Sequence, residues 1–251
     1  MFSWTIFIKT LQSNLFLWTV VTFATTLFFN ATIFAVDNLT SSGFTPPGDL
    51  TDSFSLLDQT FFSMIGILLP LIYIVVVSNR LIAKEVDQGS LAFVLTTQVS
   101  RETLIFTRGL FLFLSISAMM LILSLTGSAT FQTLTMDVDL EVYGQIMFGL
   151  YALELSFAGI NFLTSSLFNK TSLSIGFGAG ISLGMFLLST LSSLTSDLEP
   201  LRQFTLNQFF QVETIISGEA NYLLNFSILL SVFVCLSLFG FQIFRKKNLP
   251  L

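Results

Sequence analysis

Six uninterrupted apolar runs leave this chain few ways to fold. They lie at about Leu15–Val36, Phe61–Ser78, Leu110–Gly127, Gln145–Phe168, Leu173–Leu194 and Leu223–Phe244. A helix needs roughly 20 mostly apolar residues to cross a bilayer. The runs are continuous and do not alternate as barrel strands must, which argues against a membrane β-barrel. Only 10% of the 251 residues are charged, against about 25% in a soluble domain. That is too little charge to coat a water-soluble globule, so the chain reads as one all-α integral membrane domain over residues 1–251. The first run lies behind Phe2–Asn14, exceeds a signal-peptide core in length and lacks a small-x-small cleavage site. It is expected to stay as span one.

The charges set an orientation. With the N-terminus in the cytoplasm, Lys9, Arg80, Lys84, Arg101, Arg108, Lys170, Arg245, Lys246 and Lys247 all fall inside, nine of the ten basic residues. Only Arg202 falls outside, as the positive-inside rule requires of six spans with both termini cytoplasmic. Eleven of the fifteen acids, from Asp37 to Glu219, fall on the outer side.

Several chemistries are excluded by residue type. The chain has no histidine and one cysteine, Cys235, so imidazole catalysis, His-based zinc sites and an intrachain disulfide are ruled out. No GxxxxGK(S/T) phosphate loop occurs, so any nucleotide chemistry must come from another chain. No catalytic residue, metal, bound cofactor or nucleic-acid partner is expected.

Outside the runs, Trp4, Phe7, Ile8 and Leu11 recur at helical spacing, which predicts a short interfacial helix over Met1–Asn14. The outer connection 195–222 mixes apolar and polar residues and predicts short helices on the outer face. Pro70 should kink the second span.

Three groups of residues invite a functional reading. Glu154 is the one ionisable residue near the middle of a span. A carboxylate there is expensive and usually faces the bundle interior. With Met147, Tyr151, Ala158, Asn161 and Ser165 it forms a polar or adaptable stripe, which either lines a substrate path or fixes helix packing. Gly176, Gly180 and Gly184 make a smooth helical face for close approach of another helix, from this chain or a second subunit. The cytoplasmic loop 79–108 is the densest in charge. Gly89 and Ser90 divide it into two short helical segments, and Ser100 is placed to cap the helix of span three, with Glu102 in its first turn. The second segment, with Leu91, Phe93, Val94 and Leu95, needs cover that a groove on a partner protein would supply.

These loop residues resemble a known signature. Ile82, Ala83, Glu85, Gly89, Ser90 and Leu91, followed by Val99, Ser100 and Arg101, are similar to the two blocks between spans two and three of ABC-2 type permeases. Gln98 stands where that family usually has proline. The Ser165–Phe168 end of span four and the six-span layout also resemble the family. The resemblance implies a type V exporter-like bundle with an N-terminal interfacial helix. It implies a coupling helix marked by Glu85, Asp87, Gly89, Ser90, Leu91, Phe93 and Arg101, seated on a cytoplasmic ABC ATPase subunit that carries ATP and Mg. It implies a second permease, identical or related, against Gly176, Gly180 and Gly184, and residence in a cell membrane, by family bacterial. The expected function is a permease subunit exporting an amphipathic or hydrophobic cargo such as a peptide, lipid or drug. Met147, Tyr151, Glu154 and Asn161 would lie on its path. The alternatives are a membrane scaffold or immunity protein that sequesters a peptide, and an intramembrane enzyme, for which Glu154 lacks a second catalytic group.

Overall fold

A computed structural model describes residues 2–41, 53–89, 100–134, 138–193, 196–218 and 221–247. The described residues contain helices and no β-strand. The long helices are α1 (Trp4–Ser41), α3 (Ile65–Leu81), α5 (Arg101–Thr133), α6 (Leu140–Leu167), α7 (Thr171–Ser192) and α9 (Tyr222–Lys246). Shorter pieces are α2 (Ser53–Leu57), α4 (Ala83–Asp87) and α8 (Val212–Ile216). Six helical stretches are long and apolar enough to cross a membrane, the second running from Phe54 to Asp87.

The expected separate interfacial helix is corrected by the structure. Residues 4–14 run without interruption into span one as a single helix of 38 residues. Its length is about 57 Å at 1.5 Å per residue. The sequence explains this: no glycine or proline interrupts 4–41, and Thr10 and Asn14 return hydrogen bonds to the carbonyls of Ile6 and Thr10. Tertiary contacts hold the N-terminal turns as well. Phe7 meets Phe111 edge-on, and the Ser3 amide donates to Thr107 Oγ1 at 3.1 Å. Further along, Trp18 Nε1 donates to the Ser115 carbonyl at 2.8 Å, and Thr130 donates to Asn30. So α1 and α5 lie side by side and parallel over most of their length.

One helix is central. In α6, 83% of the most apolar window is buried, against 17–50% in the other five spans. Its neighbours are α3, α5, α7 and α9, the contact with α9 being the most extensive. That contact is close because of small residues. A Cβ on Gly159 would sit 3.1 Å from Phe233 Cα. Ser156 adds a hydrogen bond to the Leu229 carbonyl at 2.8 Å, of the kind that holds helices together where hydrophobic attraction between them is weak.

The half of the bundle around the N-terminal end of α3 is aromatic. A single π-turn at Asp58–Phe62, closed by Ser63 N donating to Asp58 O at 2.9 Å, turns Phe61 and Phe62 inward. There they meet Phe29, which stacks on Tyr143. Gly127 lets this cluster close, since a Cβ there would lie 2.4 Å from both Phe29 Cε1 and the Tyr143 hydroxyl. Gly127→Ala is therefore expected to destabilise by about 1–3 kcal/mol. Gly144→Ala, in open space, should not. Thermal unfolding of both variants in detergent tests the pair. Beside this cluster, the connection between α7 and α9 forms short helices: 3₁₀ turns at Ser196–Phe204 and Leu206–Phe209, then α8, which buries Val212 and Ile215. The second span continues as a helix through Pro70.

Candidate functional site

The helix ends that carry most of the basic residues meet in a dense polar junction that starts from a broken helix. At Ile82 the backbone turns to φ −130°, ψ −69°, which separates α3 from α4. A break inside a bundle strands carbonyls on one side and amides on the other. One hydroxyl from α6 serves both: Ser165 Oγ donates to the Ser78 carbonyl at 2.7 Å and accepts from the Ala83 amide at 3.2 Å. Arg108 of α5 completes the repair, donating to the Leu81 carbonyl and pairing with Glu85 of α4. Arg108 is 5% exposed, and a buried guanidinium persists only where its donors are matched.

The short helix α4 is tied at its far end too. Asp87 Oδ2 accepts from the Thr171 amide at 3.1 Å. Lys170 precedes α7 without a side-chain cap, so Asp87 caps α7 from a distance and sets an acid at a helix N-terminus, where the dipole favours it. Gly89, at φ +68°, then ends α4 in the left-handed conformation that glycine tolerates best. The chain returns at Ser100, which caps α5 by accepting from Thr103 N at 3.2 Å, as its sequence position predicted.

The end of α9 closes the ring. Arg101 donates to the Lys247 carbonyl at 3.0 Å, Lys247 Nζ donates to the Ser166 carbonyl at 2.9 Å, and Arg245 pairs with Glu102 at 2.7 Å. Burial pulls the Lys247 ammonium down from its usual range to about 8. Thus α3, α4, α5, α6, α7 and α9 are cross-linked within one layer. Among the described residues no three His, Cys, Asp or Glu side chains gather as a metal site would require. What the arrangement offers is mechanical: force on α4 passes to α5 through Arg108, to α6 through Ser165 and to α7 through Asp87.

Of the residues expected to mark a coupling region, Glu85, Asp87, Gly89 and Arg101 belong to this junction. Ser90, Leu91 and Phe93 lie outside the described residues. The α6 stripe is distributed over several interfaces. Tyr151 shares a hydrogen bond with Ser117 of α5 at 2.7 Å, Asn161 donates to Ser182 of α7 at 2.8 Å, and Ser165 serves the α3–α4 break. Met147 and Glu154 are buried, and both Glu154 carboxyl oxygens lack a hydrogen-bond partner among the described residues. Gly176, Gly180 and Gly184 face away from the bundle, with nothing within 4 Å of a Cβ at any of them. The glycine that packs inside the chain is Gly178, where a Cβ would fall 2.5 Å from Asn161 Oδ1.

Reasoning from sequence passed over Arg108, Thr171 and Lys247 as junction residues, having counted Arg108 only as an orienting charge. Its position was the available signal. It lies two turns inside α5, where a guanidinium has less chance to reach water and more need of a protein acceptor. No protein-family model matches the chain, and no curated protein matches it in sequence.

Proposed function

We propose that this chain is the membrane-spanning permease subunit of an ATP-driven ABC transporter of the ABC-2, type V exporter-like kind. The observation that carries this reading is the tie between α4 and three separate long helices through Arg108, Ser165 and Asp87. A docking loop that drives a transport cycle needs such a linkage, because a push on a loose loop moves nothing else. The resemblance of residues 82–91 and 99–101 to the coupling blocks points the same way. On this reading the loop seats on a separate ATPase that binds ATP and Mg. A second permease packs on the open face of Gly176, Gly180 and Gly184, and rigid-body switching of the bundle moves an amphipathic or hydrophobic cargo. Both termini are cytoplasmic, by the distribution of basic residues.

The test is co-purification. The tagged chain, expressed with its chromosomal neighbours, is expected to bring down a subunit carrying a phosphate-loop ATPase sequence. Leu91→Asp and Phe93→Asp are expected to abolish that association while leaving the permease folded. Recovery of the folded chain without any ATPase would overturn the reading and favour a peptide-sequestering scaffold. An unchanged association in both variants would overturn the docking assignment.

A further inference from the structure

An open apolar groove of about 300 Å³ runs between α5 and α9, floored by Phe162 of α6. That is at the low end of small-molecule sites, roughly 300–1,000 Å³. Its walls are two stripes at four-residue spacing: Ile105, Gly109 and Phe113 on α5, and Phe233, Ser237 and Phe241 on α9. Gly109 keeps it deep, since a Cβ there would reach within 3.2 Å of Phe162 Cζ. At the mouth, Phe106 is 43% and Leu238 57% exposed, so in a bilayer the groove opens sideways into lipid.

Each stripe ends in an arginine one turn further on. Arg101 precedes Ile105 by four residues and Arg245 follows Phe241 by four, which puts each guanidinium on the side of its helix that carries the stripe. The Arg245 side chain is 60% exposed beyond its contact with Glu102. Among the described residues at this rim, Arg101, Arg245, Lys246 and Lys247 outnumber the single carboxylate of Glu102. An apolar trough open to lipid with a cationic rim at one end has the polarity of an anionic phospholipid.

We propose that this groove is a binding site for an anionic phospholipid of the leaflet on the basic side of the membrane. An acyl chain lies over Phe162, and the phosphate rests at Arg101 and Arg245. The site requires only that the bundle span a membrane and stands whether or not the chain pairs with an ATPase.

Native mass spectrometry of the intact chain, titrated with phosphatidylglycerol or phosphatidylcholine of the same acyl chains, tests it. The wild type is expected to retain phosphatidylglycerol preferentially. Arg101→Gln and Arg245→Gln should each lower phosphatidylglycerol retention by about fivefold, the value of one basic residue near an anionic headgroup, and lower that of phosphatidylcholine, whose choline cation offsets its phosphate, by less. Ser237→Phe, which fills the groove, should lower retention of both lipids by the same factor, through lost packing against the groove walls. Ser237→Leu repeats that arm if Ser237→Phe does not fold. Equal retention of the two lipids by the wild type would overturn the proposal. So would retention insensitive to both Ser237 variants, or a wild-type dimer that Ser237 plugs dissociate and that holds no lipid there.

Discussion

Ser165→Ala is expected to destabilise this protein by about 2–4 kcal/mol, because one deleted hydroxyl leaves two buried backbone groups unpaired at about 1–2 kcal/mol each, the lower part of the usual range. Ser165 is fully buried and serves both the Ser78 carbonyl and the Ala83 amide. In a membrane interior no bulk water is at hand to replace it. The adjacent Ser166 provides an internal control. Its hydroxyl is buried without a hydrogen-bond partner among the described residues, so Ser166→Ala should be neutral or slightly stabilising. Ser165→Thr keeps the oxygen and should recover most of the loss. Equilibrium unfolding in mixed micelles, followed by circular dichroism, separates the three variants. Equal effects at 165 and 166 would remove the α3–α4 break from the account of what holds the junction together.

Arg108→Met is expected to cost still more, about 3–5 kcal/mol, the usual penalty for breaking a buried ion pair from one side. The Leu81 carbonyl loses its donor and Glu85 loses its counter-ion at once. Glu85→Met should cost about as much, because it strands the buried Arg108 guanidinium, whereas the Glu85 carboxylate that Arg108→Met strands is 33% exposed and shares water. The double variant should recover part of the Arg108→Met loss, since no uncompensated carboxylate remains. Arg108→Lys should fall between, as an ammonium cannot present the guanidinium's planar fork to two acceptors. A double-mutant cycle on unfolding free energies checks the set. Strict additivity would mean that α4 and α5 are not coupled through this pair.

The six spans were legible because lipid imposes one simple demand, a long apolar helix, that local sequence can state. The cap at Ser100 was legible for a similar reason, since it depends on neighbours three residues away. The continuity of α1 was not. The polar side chains in its first turns suggested an interfacial segment, but their bonds to carbonyls one turn back, and Phe111 and Thr107 across the gap, hold it helical. Arg108 and Ser165 were legible as residue types but not as partners. Their roles arise from a helix break at Ile82, with no glycine or proline among residues 71–88 to announce it. The stripe around Glu154 was correctly expected to face the interior. Periodicity places residues on one side of a helix, and cannot say that α5, α7 and α3 would each take a different part of it.

The central position of α6 bears on how the protein is made. Its broadest partner is α9, which emerges from the ribosome only after α7 and α8. Until residues 222–246 leave the ribosome, the face carrying Gly149, Ser156 and Gly159 has no helix to close on, and the hydroxyl of Ser156 cannot reach the Leu229 carbonyl. A span that carries Glu154 and Asn161 must therefore wait in lipid, or in the insertion machinery, for α9. Closure of this face thus waits on α9 and does not proceed helix by helix, so residues 222–246 carry a role in biogenesis apart from any they have in the finished molecule.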